Sequence, residues 1–196
     1  MDKEKRSPLR IILTGLAGLI TLAYPFLVYF GLTRWNARGL ALMLLIVFGL
    51  RFLLLRGEAA NTLRNLAPAL IAAGVICLLV LFRNDGQFLL YYPVAMNLAM
   101  LSAFAFTLRQ PPSMIERFAR LAEPELPDDA IGYCRNVTVV WCVFLGLNGL
   151  AALGTALHGD MKLWTLYNGL IAYLLMGLLF AVEYGVRCYV RRKNGY

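Results

Sequence analysis

Residues 137–157, VTVVWCVFLGLNGLAALGTAL, carry no charged side chain. As a helix rising 1.5 Å per residue this stretch is about 32 Å long, enough to cross a hydrocarbon layer of about 30 Å. A second such stretch, LWTLYNGLIAYLLMGLLFAVEYGV at 163–186, follows at once and holds a single charged residue, Glu183. Two spans joined by five residues form a transmembrane hairpin. Working outward, four further apolar blocks lie at about 11–32, 39–55, 66–82 and 88–108. The reading is an all-α, polytopic bundle of about six spans, a single integral membrane domain over 1–196. With 60% hydrophobic and 15% charged residues distributed this way, the loops are too short for a separate soluble domain. The charged start MDKEKRSPLR leads into a run longer than the apolar core of a signal peptide, so a first span is expected there.

The formal charge of +8 invites comparison with nucleic-acid binders, but the basic residues flank the apolar blocks, where lipid headgroups lie. With the N-terminus inside, one side holds Lys3 to Arg10, Arg51, Arg56, Arg64, the four arginines from Arg109 to Arg135, and Arg187 to Lys193. The other side holds only Arg34, Arg38, Arg83 and Lys162. Fifteen against four of the 19 basic residues places both termini in the cytoplasm, in a multi-pass membrane protein. Four cysteines without CxxC spacing and one histidine make a metal site improbable, and no cofactor is expected. The acidic run Glu123, Glu125, Asp128 and Asp129 supplies oxygen ligands for a cation in principle. The plainer reading has the two glutamates solvated and the two aspartates at a helix start, where the dipole favours them.

The longest loop, about residues 109–136, contains PPSMIERFARL. Ser113 with Glu116 forms a capping-box pattern, and Met114, Ile115, Phe118 and Leu121 share one face. This predicts a short amphipathic cytoplasmic helix at about 113–122, between spans four and five. Its apolar face is expected in the acyl boundary, with Arg117 and Arg120 near anionic headgroups. Glu183 is a functional candidate because a carboxylate inside a span is costly. It is expected to pair with Arg187, four residues on, or across the bundle with Arg51 at similar depth, the alternative to that cross-bundle pair being that Arg51 and Glu183 each snorkel alone. Asn97, Asn148 and Asn168 lie within or at the edge of spans, placed to hydrogen-bond between helices or to contact a polar headgroup. Tyr91, Tyr92, Trp164 and Tyr167 stand near outer ends, as aromatic-belt residues do. Thr14, Gly18, Thr21 and Pro25 form a face of small residues that packs on a neighbouring helix. Pro93 falls inside span four. No catalytic set is visible: there is no Ser-His-Asp arrangement, phosphate loop or HExxH.

Several strings of the C-terminal half belong together: YYPVAMNLAML from Tyr91, PPSMIERFARL from Pro111, the ELP of 125–127, YCRNVTVVWCVFLGLNGLAALGTAL from Tyr133 and WTLYNGLIAYLLMGLLFAVEY from Trp164. In these the chain resembles a family of small bacterial inner-membrane proteins encoded with aryl polyene, or xanthomonadin-like, pigment synthesis. The likeness covers roughly Tyr91 to Arg187, and YPFLVYFGL at Tyr24 adds a weaker match. WCVFLGLNG and W-x-x-YNG are also faintly similar to the last spans of the intracellular septation protein A family.

The resemblance implies a setting rather than an activity. Such clusters encode acyl carrier proteins, ketosynthases and acyltransferases, so the expected partners are membrane lipids and a carrier protein or acyltransferase, with no nucleic acid. The leading expectation is an accessory or scaffold protein for a lipid-like product. A small transporter or flippase is second and a membrane acyl-transfer enzyme third. Arg117 and Arg120 would attract a carrier-protein or lipid phosphate, while Arg51, Asn97, Asn148, Asn168 and Glu183 fix the bundle or line a polar cleft.

Overall fold

The computed structural model describes residues 24–34, 38–39, 41–46, 71, 74–83 and 85–194. These are helical with short connections, and no strand occurs among them. In chain order they form α1 (Tyr24–Arg34), a helical stretch at 41–46, α2 (Gly74–Arg83), a 3-10 turn (Gly86–Tyr91) that runs into α3 (Tyr92–Arg109), α4 (Met114–Ala122), α5 (Asp128–His158), α6 (Met161–Leu166), a π turn (Tyr167–Ile171) and α7 (Ala172–Asn194). Three continuous helical stretches are long and apolar enough to cross a membrane: Gly86–Arg109, Asp128–His158 and Met161–Val190, of 24 to 31 residues. They contain the expected spans at 88–108, 137–157 and 163–186. The described parts of the first three expected spans are helical too; the remainder of those spans, with Thr14, Gly18, Thr21 and Arg51, lies outside the described residues.

Local chemistry sets the boundaries. Gly159 ends α5 at φ 78°, the left-handed position that glycine takes without a Cβ penalty. Asp160 then starts α6 by accepting from the N–H groups of Lys162 at 2.7 Å and Leu163 at 3.3 Å. Those two bonds hold its carboxyl below the usual carboxylate range. Asp128 and Asp129 occupy the first turn of α5, as expected of acidic residues at a positive dipole end. Pro93 stands in the first turn of α3 rather than in its middle, so its missing N–H costs no bond within α3.

Packing in the bundle corrects the aromatic-belt reading. Trp164 is wholly buried and Tyr92 nearly so, in a cluster with Val28, Leu44, Val80 and Leu89. The reason is a hydrogen bond: Trp164 Nε1 donates to the Leu90 carbonyl at 3.0 Å. Pro93, three residues after Leu90, has no N–H to complete that 3-10 turn, and the indole supplies a donor from another helix. The outward faces are apolar instead, with Leu147, Leu150, Leu174 and Leu178 exposed, as a lipid-facing surface requires.

Gly169 is where α1 meets the π turn. A Cβ there would stand 3.1 Å from two atoms of the Phe26 ring and 3.4 Å from Pro25, so the absent side chain permits close approach. Gly169→Ala is expected to destabilise the fold by about 1–2 kcal/mol, through overpacking against a ring that must move. The check is a lower midpoint in thermal unfolding of the detergent-solubilised protein, with Gly185→Ala, where a Cβ meets nothing within 4 Å, as the unaffected control.

The amphipathic helix forms as expected at Met114–Ala122, but half of its apolar face belongs to the protein interior. Met114 packs with Phe104, Val137, Trp141 and Leu145, while Phe118 and Leu121 remain exposed. Glu116 Oε2 accepts from the Ser113 N–H at 3.2 Å, one half of the capping box. The N–H groups of Met114 and Ile115 go to Thr107 Oγ1 of α3 and Thr138 Oγ1 of α5, at 2.9 and 3.2 Å. Two neighbouring helices thus cap α4.

Candidate functional site: an amide-floored groove

An elongated cavity of about 400 Å³ runs between α1, α3, α5 and the stretch from the π turn into α7, within the usual size range of ligand pockets. From Tyr92 to Phe104 it follows one face of α3 for twelve residues, about 18 Å, and from Asn168 to Phe180 it follows the facing stretch for the same length. Met96, Met100 and Met176 line its length, adaptable side chains that conform to varied apolar shapes. Towards α4 it narrows among aromatic rings: Trp141 lies 4.6 Å from Phe180 and 6.3 Å from Phe104, centroid to centroid. Ile115 and Phe118 of α4 line that end. No charged side chain among the described residues lines the cavity.

The three asparagines picked out from sequence all line it, together with Tyr92, Trp141 and Tyr173. Asn97 Nδ2 donates to the Pro93 carbonyl at 2.8 Å, which turns Asn97 Oδ1 to accept from Asn148 Nδ2 at 3.0 Å. Asn148 Oδ1 in turn accepts from the Tyr167 hydroxyl at 2.9 Å. Asn168 Nδ2 donates to Thr155 Oγ1 at 3.2 Å and to the Trp164 carbonyl at 2.9 Å. That carbonyl is the acceptor its own backbone N–H would serve in an undistorted α-helix. The π turn lets two consecutive residues, Tyr167 and Asn168, both reach inward, and such turns recur at functional sites. Gly149 makes room for this: a Cβ there would lie 3.1 Å from Cβ of Asn97.

The charged candidates lie elsewhere. Glu183 Oε1 pairs with Arg187 at 3.0 Å and accepts from the Tyr133 hydroxyl of α5 at 3.2 Å, the local alternative of the two pairings open to it. Arg51, the other partner considered, is outside the described residues. Arg120 makes a two-pronged contact with Glu116, at 3.0 and 2.8 Å. Arg117 donates to the carbonyls of Pro112 and Gln110, and Arg135 to that of Leu108 at 2.9 Å. These arginines satisfy the chain at and beyond the C-terminal end of α3, where cations are favoured. They are partly exposed, so contact with a headgroup remains open to them.

Sequence reasoning passed over Met96, Met100, Trp141, Met176 and Phe180, and read Tyr167 only as a belt residue. A signal existed in the spacing of Met96, Met100 and Phe104 at i, i+4 and i+8, the same face as Asn97 within one position. Among the described residues no three His, Cys, Asp or Glu stand close enough to hold a metal ion. No family model, no curated protein and no solved structure matches the chain, and the groove is therefore interpreted from its own chemistry.

Proposed function

We propose that the chain is an accessory protein of a bacterial inner membrane that holds a lipid-like chain between its helices. The setting is the aryl polyene assembly that the resemblance of its C-terminal half implies. One observation carries the reading: a long groove whose described lining is apolar, with amides and no charged side chain, suits an extended hydrocarbon or polyene with a modest polar group. The six-span topology with both ends in the cytoplasm remains the working frame, supported by the distribution of lysine and arginine. In that frame α4 lies at the inner surface, where Arg117 and Arg120 are placed to meet an acyl carrier protein or acyltransferase that delivers or receives the chain. The lining residues offer no nucleophile held by a base, which favours holding a product over making one.

The same groove keeps a small transporter or flippase as the second reading. What favours it is the break in helical register at the π turn beside mid-span amides, since interrupted helices mark many transport sites.

Deletion of the gene in its native host, complemented with wild type or Ala172→Phe, separates these. Ala172 is buried and lines the groove, so the larger ring fills it. The expected result is loss of lipid-extractable polyene, restored by wild type and not by an equally abundant Ala172→Phe protein. Full synthesis with product retained in the inner membrane makes the protein a transporter. Unaltered pigment sinks the proposal.

A further inference from the structure

We infer that the groove selects its ligand by the end group, taking a chain that ends in a neutral group with both a hydrogen-bond donor and an acceptor and rejecting an ionised carboxylate. This rests on the groove being a chain-binding site and adds to it which chains fit.

The inference follows from counting hydrogen bonds. A primary amide has two N–H groups and one carbonyl oxygen. Asn97 commits its oxygen to Asn148 and one N–H to Pro93; Asn148 commits its oxygen to Tyr167 and one N–H to Asn97. Each keeps one N–H that no described residue accepts. Asn168 is the opposite case. Both its N–H groups are taken, by Thr155 and Trp164, and no described residue donates to its Oδ1. All three line the groove. The lining therefore offers spare amide donors on Asn97 and Asn148 and a spare amide acceptor on Asn168.

A terminal hydroxyl satisfies both, donating to Asn168 Oδ1 and accepting from Asn97 or Asn148. A primary amide or protonated acid does the same. A methyl ester accepts only and leaves Asn168 unpaired. A carboxylate accepts too, but it brings a full charge to a place with no counter-charge among the described lining residues. The depth sharpens this penalty. Asn97 and Asn148 each stand one residue from the centre of their expected spans and Asn168 five residues inside 163–186, so the end group would sit within the hydrocarbon layer, where charge is costly.

Trp141 reports on occupancy, because it lines the groove yet is only 6% exposed, which shields it from bulk lipid. The full chain is placed in nanodiscs of unbrominated phosphatidylcholine and titrated with octadecanol, methyl octadecanoate and octadecanoate, each dibrominated at mid-chain. Bromine quenches a nearby indole, and subtraction of a Trp141→Phe sample isolates the groove signal. At alkaline pH the alcohol is expected to quench at about tenfold lower concentration than the ester, the worth of one further hydrogen bond. The carboxylate is expected to quench only as pH falls and it becomes protonated. Asn168→Leu should bring alcohol and ester level, while the three-ligand series needs no change to the amides themselves. Equal quenching by all three at alkaline pH overturns end-group selection and leaves the groove reading intact. Absence of quenching by all three, at every pH, overturns the groove reading itself.

Discussion

Trp164→Ala is expected to cost about 3 kcal/mol of fold stability, the low end of the range for burying and then deleting a large aromatic. Two losses combine. The side chain is 0% exposed and touches the cluster that joins α1, α2 and the start of α3, so truncation leaves a cavity whose walls lose their dispersion partners. The Leu90 carbonyl also loses its 3.0 Å indole donor in a setting where water is absent. The low end applies because the unfolded reference in a membrane is still surrounded by hydrocarbon, so the transfer component shrinks and the packing component remains. Trp164→Phe separates the two by keeping most of the volume while giving up the N–H, and about 1–2 kcal/mol is expected of it. Reversible unfolding in mixed micelles, followed by helical circular dichroism, measures both. If Trp164→Phe proves as damaging as Trp164→Ala, the hydrogen bond dominates; if both are neutral, Trp164 is not a core residue and the packing described around it is wrong.

Thr138→Val, alone and with Thr107→Val, should release α4. Valine has nearly threonine's shape but no acceptor. Each hydroxyl now serves two bonds, donating to a carbonyl of its own helix (Phe104 for Thr107, Cys134 for Thr138) and accepting an N–H from the first turn of α4. Those N–H groups have no partner within α4, since the first turn of any helix lacks one. Leaving one buried and unpaired costs about 2 kcal/mol, equivalent to about thirtyfold faster exchange of the α4 amides, and the double variant should approach the product. Hydrogen exchange of residues 114–122 reads this directly. Thr138→Ser, which keeps the hydroxyl, should exchange as wild type does. Unchanged protection in both valine variants would mean that Met114 packing, not the caps, holds α4. Because Ile115 and Phe118 line the inner end of the groove, the double variant should also weaken quenching of Trp141 by a brominated chain.

How far the sequence reaches can be judged element by element. Hydropathy alone locates the three long helices, because a stretch such as 137–157 has no stable alternative to a helix in hydrocarbon, where every backbone polar group must bond within its own segment. Capping chemistry locates α4, and acidic residues after a proline locate the start of α5. The three asparagines are likewise legible as unusual, since a polar side chain within an apolar run needs a partner. What sequence leaves open is which partner. Trp164 has the composition and position of a belt residue, and only the arrival of the Leu90 carbonyl beside it turns it inward. Glu183 had a plausible partner on its own helix and another across the bundle, and spacing does not choose between them; the Tyr133 hydroxyl, 50 residues away in the chain, completes the local choice. The groove belongs wholly to the tertiary structure. Its walls are faces of helices that share no sequence pattern. Asn97 and Asn148 meet because Gly149 lets α5 approach α3, and Asn168 joins them in lining one groove at the π turn. The sequence determines that this chain forms apolar helices, because hydrocarbon imposes that on each segment separately. Which helix faces which, and hence what the protein holds, is decided by close packing and by hydrogen bonds between segments that no single segment encodes.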